Sequence, residues 1–322
     1  MPNAYTRRTA LLGLAAGAAA LGGIRPAHAK DIVRIALPTK TYFPTVITEA
    51  AVRQKLFDKE GIEAEPTVYR GGAECLEAMA AGAADISLGG PPVVGVAVKK
   101  GVGMKIVASS STGYMGWFLL VKADSPITKV QDLAGKKVGI TSAGSGSDFL
   151  ALWTNEAYKT PFTRVPLGGG GLVPNLRGNN VDAVVLYSPL SFDMIQSKQA
   201  RVLIDFAAEV PTHVAGGWVV TQKLIDTKPQ VVQKSMNALY GGLAWLRNNR
   251  DAAIALIAEI DEIKPAIAEM EYTQTILKLA TDATLKVENI QRALEMGKLI
   301  GITDTAPIDQ LYTTKFLPVP TT

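Results

Sequence analysis

The sequence predicts an α/β protein built of two similar lobes, on three observations. Short apolar runs alternate with helical patterns at the spacing of parallel βαβ units. The order of these elements then recurs. Setting Asp85 against Asp182 aligns Gly71-Gly72 with Gly168-Gly169, Leu76 with Val173 and Met79 with Leu176, a weak internal repeat. Once an N-terminal leader is set aside, about 290 residues remain, enough for two lobes with ordinary cores.

In chain order, Ile32–Leu37 is an apolar run broken by Pro38, and a helical stretch from about Pro44 to Lys59 is stopped by Gly61. Strand-like Ile62–Tyr69 passes through Gly71-Gly72 into a short helix, Cys75–Ala81. The buried-strand run Ala84–Leu88, the turn Gly89-Gly90-Pro91-Pro92, an apolar helix to Lys100 and strand Lys105–Ser109 follow. The second set begins with strand Lys137–Thr141. The helix over Ser145–Tyr158 carries Phe149, Leu150, Trp153 and Ala157 at helical spacing. Strand Arg164–Leu167, the run Gly168–Gly171, helix Leu172–Arg177, strand Val181–Leu186 and helix Pro189–Ser197 complete it. Ser110–Trp117 and Val210–Trp218 read as crossings between lobes. In Pro229–Asn249 the residues Val232, Met236, Leu239, Leu243 and Leu246 form a one-sided apolar stripe, with proline in the first turn. Helices near Asp251–Ile260, Ala266–Thr281 and Glu288–Ile300 follow, then a Pro-rich tail. If the second crossing returns the chain to the first lobe, that lobe comprises residues 30–112 and 216–322, and the other comprises 113–215.

Residues 1–29 read as a signal peptide: Arg7-Arg8 ahead of Leu11-Leu12, a small-residue apolar stretch to Ile24, and an Ala27-His28-Ala29 cleavage box. Adjacent arginines point to the twin-arginine route, with an ordinary Sec signal as the alternative. No cysteine follows the box, so a lipid anchor is not expected and the mature protein is expected free in the periplasm. Those residues hold three arginines and no acid, so their removal takes the net charge from +4 to +1. A near-neutral protein gives no electrostatic case for nucleic acid or membrane binding.

Cys75 is the sole cysteine, so no disulfide can form within the chain, and its neighbours Leu76 and Met79 suggest a buried, inert thiol. The mature chain keeps one histidine, His213. A Cys/His zinc cage cannot be built from these, and any His-dependent triad would rest on that residue alone. No cofactor or metal is expected, and the scarcity argues against an enzyme.

Several segments, in order along most of the mature chain, resemble the nitrate/sulfonate/taurine-type ABC solute-binding proteins. They are Phe57-Asp58-Lys59-Glu60-Gly61-Ile62, Gly71-Gly72 with Leu76 to Ile86, Asp132 to Gly139 (DLAGKKVG), and Val181-Asp182-Ala183. The resemblance implies a type II periplasmic-binding-protein fold, two βαβ lobes with a ligand cleft between them, and an ABC permease in the inner membrane as partner of a monomer. The chain departs from the pattern at Tyr187-Ser188-Pro189, where many relatives carry an acid before the proline. That departure puts the usual substrate list in doubt.

Two-lobed binders hold ligand where loops at the carboxyl ends of parallel strands face each other. The candidates in the first lobe are Lys40, Tyr42, Phe43, Gly89 and Gly90, and in the second Ser142, Gly144, Ser145, Gly146, Ser147, Tyr187 and Ser188. The loop from Ser142 to Ser147 leaves a strand and enters a helix, so its N–H groups and hydroxyls suit a carboxylate, sulfonate or phosphate. N-capping by one serine is its simpler reading. The loop lacks the Gly-Lys-Ser/Thr of a phosphate-binding loop and the third glycine of a dinucleotide fingerprint. Tyr42 is the better ligand contact of its pair, since its hydroxyl would be idle in a core, while Phe43 suits a hydrophobic staple. Lys40 has a solvated surface position as its alternative. Trp117 and Trp218 both suit packing, with Trp218 also able to wall the pocket, and His213 reads as a loop residue.

The expected function is capture of a small organic solute for an ABC importer, the solute being an anion such as a sulfonate or carboxylate, with an aromatic body possible in the company of Tyr42, Phe43 and Tyr187. The alternatives are a neutral pyrimidine or thiamine precursor as ligand, an enzyme on the same fold, and a binder that reports to a sensor.

Overall fold

The computed structural model describes residues 30–320, and the expected signal peptide, with its arginine pair, lies outside the described residues. Two five-stranded sheets carry the fold. The first contains β1 (Asp31–Leu37), β2 (Ile62–Val68), β3 (Ile86–Gly89), β4 (Met104–Ser111) and β10 (Gly216–Thr221), in the order β2-β1-β3-β10-β4. The second contains β5 (Phe118–Lys122), β6 (Lys137–Ile140), β7 (Thr163–Pro166), β8 (Ala183–Leu186) and β9 (Ala200–Asp205), in the order β7-β6-β8-β5-β9.

The two orders are one pattern. β1 lies between parallel β2 and β3, as β6 lies between parallel β7 and β8. Beyond β3 comes an antiparallel strand, β10, and then β4; beyond β8 comes antiparallel β5, and then β9. The internal repeat in the sequence is therefore also a repeat of topology. The expected parallel units form the β2-β1-β3 and β7-β6-β8 part of each sheet, and β5 and β10, which run against their neighbours, make both sheets mixed. Each is the strand by which the chain enters the sheet after crossing. The crossings themselves are bound together, with His213 N–H donating to Thr112 O at 3.2 Å and Ala215 N–H to Ser111 O at 3.0 Å.

Both sheets bury their central strands on both faces, so Leu119, Leu120 and Val121 of β5 and Val219 and Val220 of β10 are inaccessible to water. The helix Pro229–Asn248 places its stripe of Val232, Met236, Leu239, Leu243 and Leu246 in the first core, against Phe43, Val46 and Ile47 of helix Phe43–Arg53. Proline at its first turn has no N–H to leave unpaired there. Near the second sheet, helix Pro265–Gln274 packs on helix Leu190–Gln196.

Candidate functional site

Three loops of the first sheet, two of the second and the first crossing converge on a cavity of ≈ 80 Å³. After β1 come Thr39 and Tyr42, before helix Gly72–Ala80 come Gly71 and Gly72, and after β3 come Gly89 and Gly90. The opposite wall has Thr141, Ser145 and Gly146 after β6 and Tyr187 after β8, with Tyr114 and Trp117 from the first crossing. Glycines on the first side keep the backbone at the surface, while the second side offers hydroxyls and rings. At roughly 10–15 Å³ per water, the enclosed space suits a compact ligand head of a few heavy atoms.

Four rings form a box. Tyr42 meets Trp117 edge-on at 5.6 Å and Tyr187 at 5.2 Å, Trp117 lies 5.3 Å from Tyr187, and Tyr114 lies 6.1 Å from Trp117. Burial pushes the phenols of Tyr42 and Tyr114 above their ordinary range and that of Tyr187 to about 12, so all three remain neutral donors at neutral pH. The Tyr187 hydroxyl and Thr39 Oγ1 are buried and have no hydrogen-bond partner. A buried hydroxyl left unpaired costs about 1–3 kcal/mol, so such atoms tend to mark a place where something else supplies the bond.

The loop after β6 is organised by its own side chains. Ser145 caps helix Gly146–Tyr158 through a bond from Asp148 N–H at 3.3 Å, and the Asp148 carboxylate accepts from Gly144 N–H at 2.8 Å. Asp148 is buried and pairs with Arg164. Thr141, Ser145 and Ser147 close a triangle of hydroxyls with sides of 2.9, 3.0 and 2.9 Å. Capping therefore does take place here, and Asp148 already occupies part of the helix N-terminus that a bound anion was expected to fill. Ser145 and Gly146 nonetheless face the cavity, where the first-turn N–H groups have no helical acceptors.

The structure thus brings Tyr42, Gly89, Gly90, Ser145, Gly146 and Tyr187 to one cavity and disperses the other candidates. Phe43 packs in the first core at the start of its helix. Trp218 does the same from the middle of β10, at 2 % exposure, because strand alternation turns it to the helix-covered face. Lys40 points outward to Glu262, at 2.5 Å. Ser147 is turned inward to Thr141 N–H, Gly144 lies exposed in the turn, and the Ser188 hydroxyl bonds Thr275 Oγ1 at 3.0 Å. Ser142 presents its hydroxyl to Gly71 across the cleft and not to the cavity. Sequence reasoning passed over Gly71, Tyr114 and Thr141, and read Trp117 as packing. An aromatic residue in a crossing has no periodic partner to show which way it points. His213, read as an ordinary loop residue, is 1 % exposed and supports Tyr114 from behind, its Nε2 lying 3.3 Å from the phenol oxygen. Burial lowers its pKa.

Of the four tryptophans, Trp117 alone lines this cavity. A ligand entering it is expected to change the intrinsic fluorescence of the wild type and to leave that of Trp117→Phe flat. A titration signal that survives in Trp117→Phe would place the ligand elsewhere.

Two sheets of like topology facing each other across a cleft define the two-lobed periplasmic-binding-protein class of fold. The family model described as "NMT1/THI5 like" matches residues 47–253, and the chain belongs to that family. It is 23 % identical over 284 residues to a "Putative aliphatic sulfonates-binding protein" of Bacillus subtilis (strain 168), a match spanning 87 % of this chain and 85 % of the relative. A "Putative binding protein" of Brucella abortus (strain 2308) is 31 % identical over 76 % of this chain and 78 % of its own length. A 2'-hydroxybiphenyl-2-sulfinate desulfinase of Rhodococcus erythropolis is 24 % identical over 64 % of this chain and 71 % of its own. Among solved structures, the alkanesulfonate-binding protein of Xanthomonas axonopodis pv. citri bound to MOPS superposes with a TM-score of 0.75 at 18 % identity, over 88 % of this chain and 99 % of that one.

Among the described residues no three His, Cys, Asp or Glu side chains are grouped to hold a metal ion, and no helix is long and apolar enough to cross a membrane.

Proposed function

We propose that the protein is a periplasmic solute-binding component of an ABC importer, and that its solute is a small organic anion, a sulfonate or a carboxylate. The observation that carries this reading is the cavity between the sheets, which sets the hydroxyls of Thr39, Thr141, Ser145 and Tyr187 beside a box of aromatic rings. Neutral donors and a helix start hold an anion without a full positive charge, and rings accommodate its apolar body. The lobes that close on it are residues 30–112 with 216–322, and residues 113–215, a division that the sheet membership of the strands supports. The alkanesulfonate and aliphatic-sulfonate names among the relatives point the same way.

A planar neutral heterocycle is the second reading, favoured by the ring box and by the lack of any Lys, Arg or His among the cavity residues. Catalysis is the least supported. The desulfinase relatives share the fold, but here Cys75 lies fully buried, and burial pushes its thiol up to about 12. A nucleophilic cysteine acts as thiolate, and at neutral pH this one is essentially all thiol.

The test is a thermal-shift screen of alkanesulfonates, aromatic carboxylates and aminopyrimidines, followed by mass spectrometry of the recovered ligand. A true ligand at a hundred times its Kd adds about 2.7 kcal/mol of stability, several degrees in Tm. Recovery of an unaltered sulfonate is the expected result; recovery of a desulfurised product would make the protein an enzyme.

A further inference from the structure

The glycine pairs that align in the sequence repeat meet in space. Gly71 precedes helix Gly72–Ala80 beside the first sheet, and Gly168 and Gly169 precede helix Leu172–Arg177 beside the second. Across the cleft, Gly169 N–H donates to Arg70 O at 2.9 Å, so the two turns are hydrogen-bonded to each other. There is no space for a side chain at Gly71 or at Gly169. A Cβ on Gly169 would lie 2.5 Å from Thr39 Cγ2 and 2.6 Å from the Tyr187 hydroxyl, the two groups that also line the ligand cavity. A Cβ on Gly71 would lie 2.6 Å from Ser142 Oγ and 3.2 Å from Thr141 Oγ1, atoms of the opposite lobe. By contrast, a Cβ on the adjacent Gly72 would meet nothing within 4 Å.

We propose that these repeat-equivalent glycine turns form the closing seam of the cleft, and that the missing side chains at Gly71 and Gly169 set how far the lobes close and so how small a ligand they enclose. The inference rests on the solute-binding reading and adds the determinant of closure. The crossings near Thr112 and His213 supply the hinge side, and the seam supplies the contact made on closing. Gly168, in the left-handed region at φ +72°, turns the chain so that the next N–H faces Arg70. Thr39 and Tyr187 couple seam to ligand, since anything that displaces them at Gly169 also displaces them in the cavity.

The test needs no knowledge of the ligand. A Cβ on Gly168 would lie 3.7 Å from Arg70 Cβ, within the 3.5–4.5 Å range of disulfides. Arg70→Cys/Gly168→Cys is therefore expected to form a disulfide on mild oxidation, read by mass as the loss of two hydrogens, while buried Cys75 stays reduced. Adding Gly169→Ala should lower the yield at least about fivefold, and adding Gly72→Ala should leave it unchanged. A pair that stays reduced although both thiols react with maleimide, or a Gly169→Ala protein that cross-links as its parent does, would overturn the proposal. If cysteine at 168 prevents folding, small-angle scattering of Gly169→Ala replaces the cross-link. Its radius of gyration should exceed that of the wild type and of Gly72→Ala, and equal radii overturn the seam. Propane-1-sulfonate separates the two readings: cross-linking that it does not accelerate, in a protein whose Tm it does not raise, removes the sulfonate and leaves the seam.

Discussion

Ser145→Asp is expected to weaken the binding of an alkanesulfonate at least about a hundredfold, while Ser145→Asn is expected to weaken it far less. Both replacements can cap the helix, so they differ in charge more than in local structure. Ser145 lines the cavity at the first turn of helix Gly146–Tyr158, where an anionic head would accept from the free N–H groups. An aspartate there takes those donors itself and repels the ligand. Charge-assisted hydrogen bonds contribute about 1.5–3 kcal/mol each, and the loss of two exceeds the roughly 2.8 kcal/mol that a factor of a hundred requires. Asp148, buried one turn away, complicates the fold side of the experiment. Its carboxylate already accepts from Gly144 and pairs with Arg164, so a second acid raises the local negative charge and Tm is expected to fall slightly. Titration calorimetry beside a melting curve separates the effects. Equal sulfonate affinity in the Asp and Asn variants would remove this loop from an anion site, and a ligand that binds both equally well is neutral.

How much of this was legible in the sequence depended on whether the signal was local. The stripe in Pro229–Asn248 repeats five times along one helix, and the structure buries all five of its members. The loops after β1, β3, β6 and β8 follow from the rule that ligands gather at the carboxyl ends of parallel strands. That rule reached Tyr42, Gly89, Gly90, Ser145, Gly146 and Tyr187, which share one cavity; their contact with a ligand belongs to the proposal. Where it failed, direction was the missing information. Lys40 and Phe43 flank Tyr42 closely, yet one turns to Glu262 and the other into the core. β5 and β9 carried no reading because five or six residues of a crossing chain do not announce which sheet they join. The repeat aligned Gly71 with Gly168 but gave no hint that the two turns touch, since contact across a cleft is a property of how lobes dock.

Asp261 and Glu271 were the least legible residues, and they carry the largest expected effect on stability. On a helical pattern each reads as a solvated acid. Packing at the junction of helices Arg250–Asp261 and Pro265–Gln274 buries both, to 5 % and 0 % exposure, with no hydrogen-bond partner on either carboxyl oxygen of Asp261. For Asp261, burial is the main cause that lifts its pKa to about 8; the neighbouring Glu271 adds to it and Lys40 opposes it. Glu271 is raised to about 7, again chiefly by burial, with the hydroxyls of Ser188 and Thr275 beside it holding it down. Both folded values lie above those of the unfolded chain, near 4. At these two carboxyls the folded protein therefore holds more protons than the unfolded one between about pH 4 and 8, and their contribution to stability falls as pH rises through that window. A carboxyl that titrates one pH unit higher in the folded chain than in the unfolded one costs about 1.4 kcal/mol once it is ionised. Even that much at each of the two sites is enough to move Tm by several degrees. Asp261→Asn/Glu271→Gln is thus expected to melt within a degree or two of the wild type at pH 4.5, where both carboxyls are protonated. At pH 8.5 it should melt at least about 3 °C higher, because the wild type then carries buried charge. Melting curves across that range decide the matter: a double variant whose Tm follows the wild type in parallel from pH 4.5 to 8.5 would show that neither carboxyl titrates in the window.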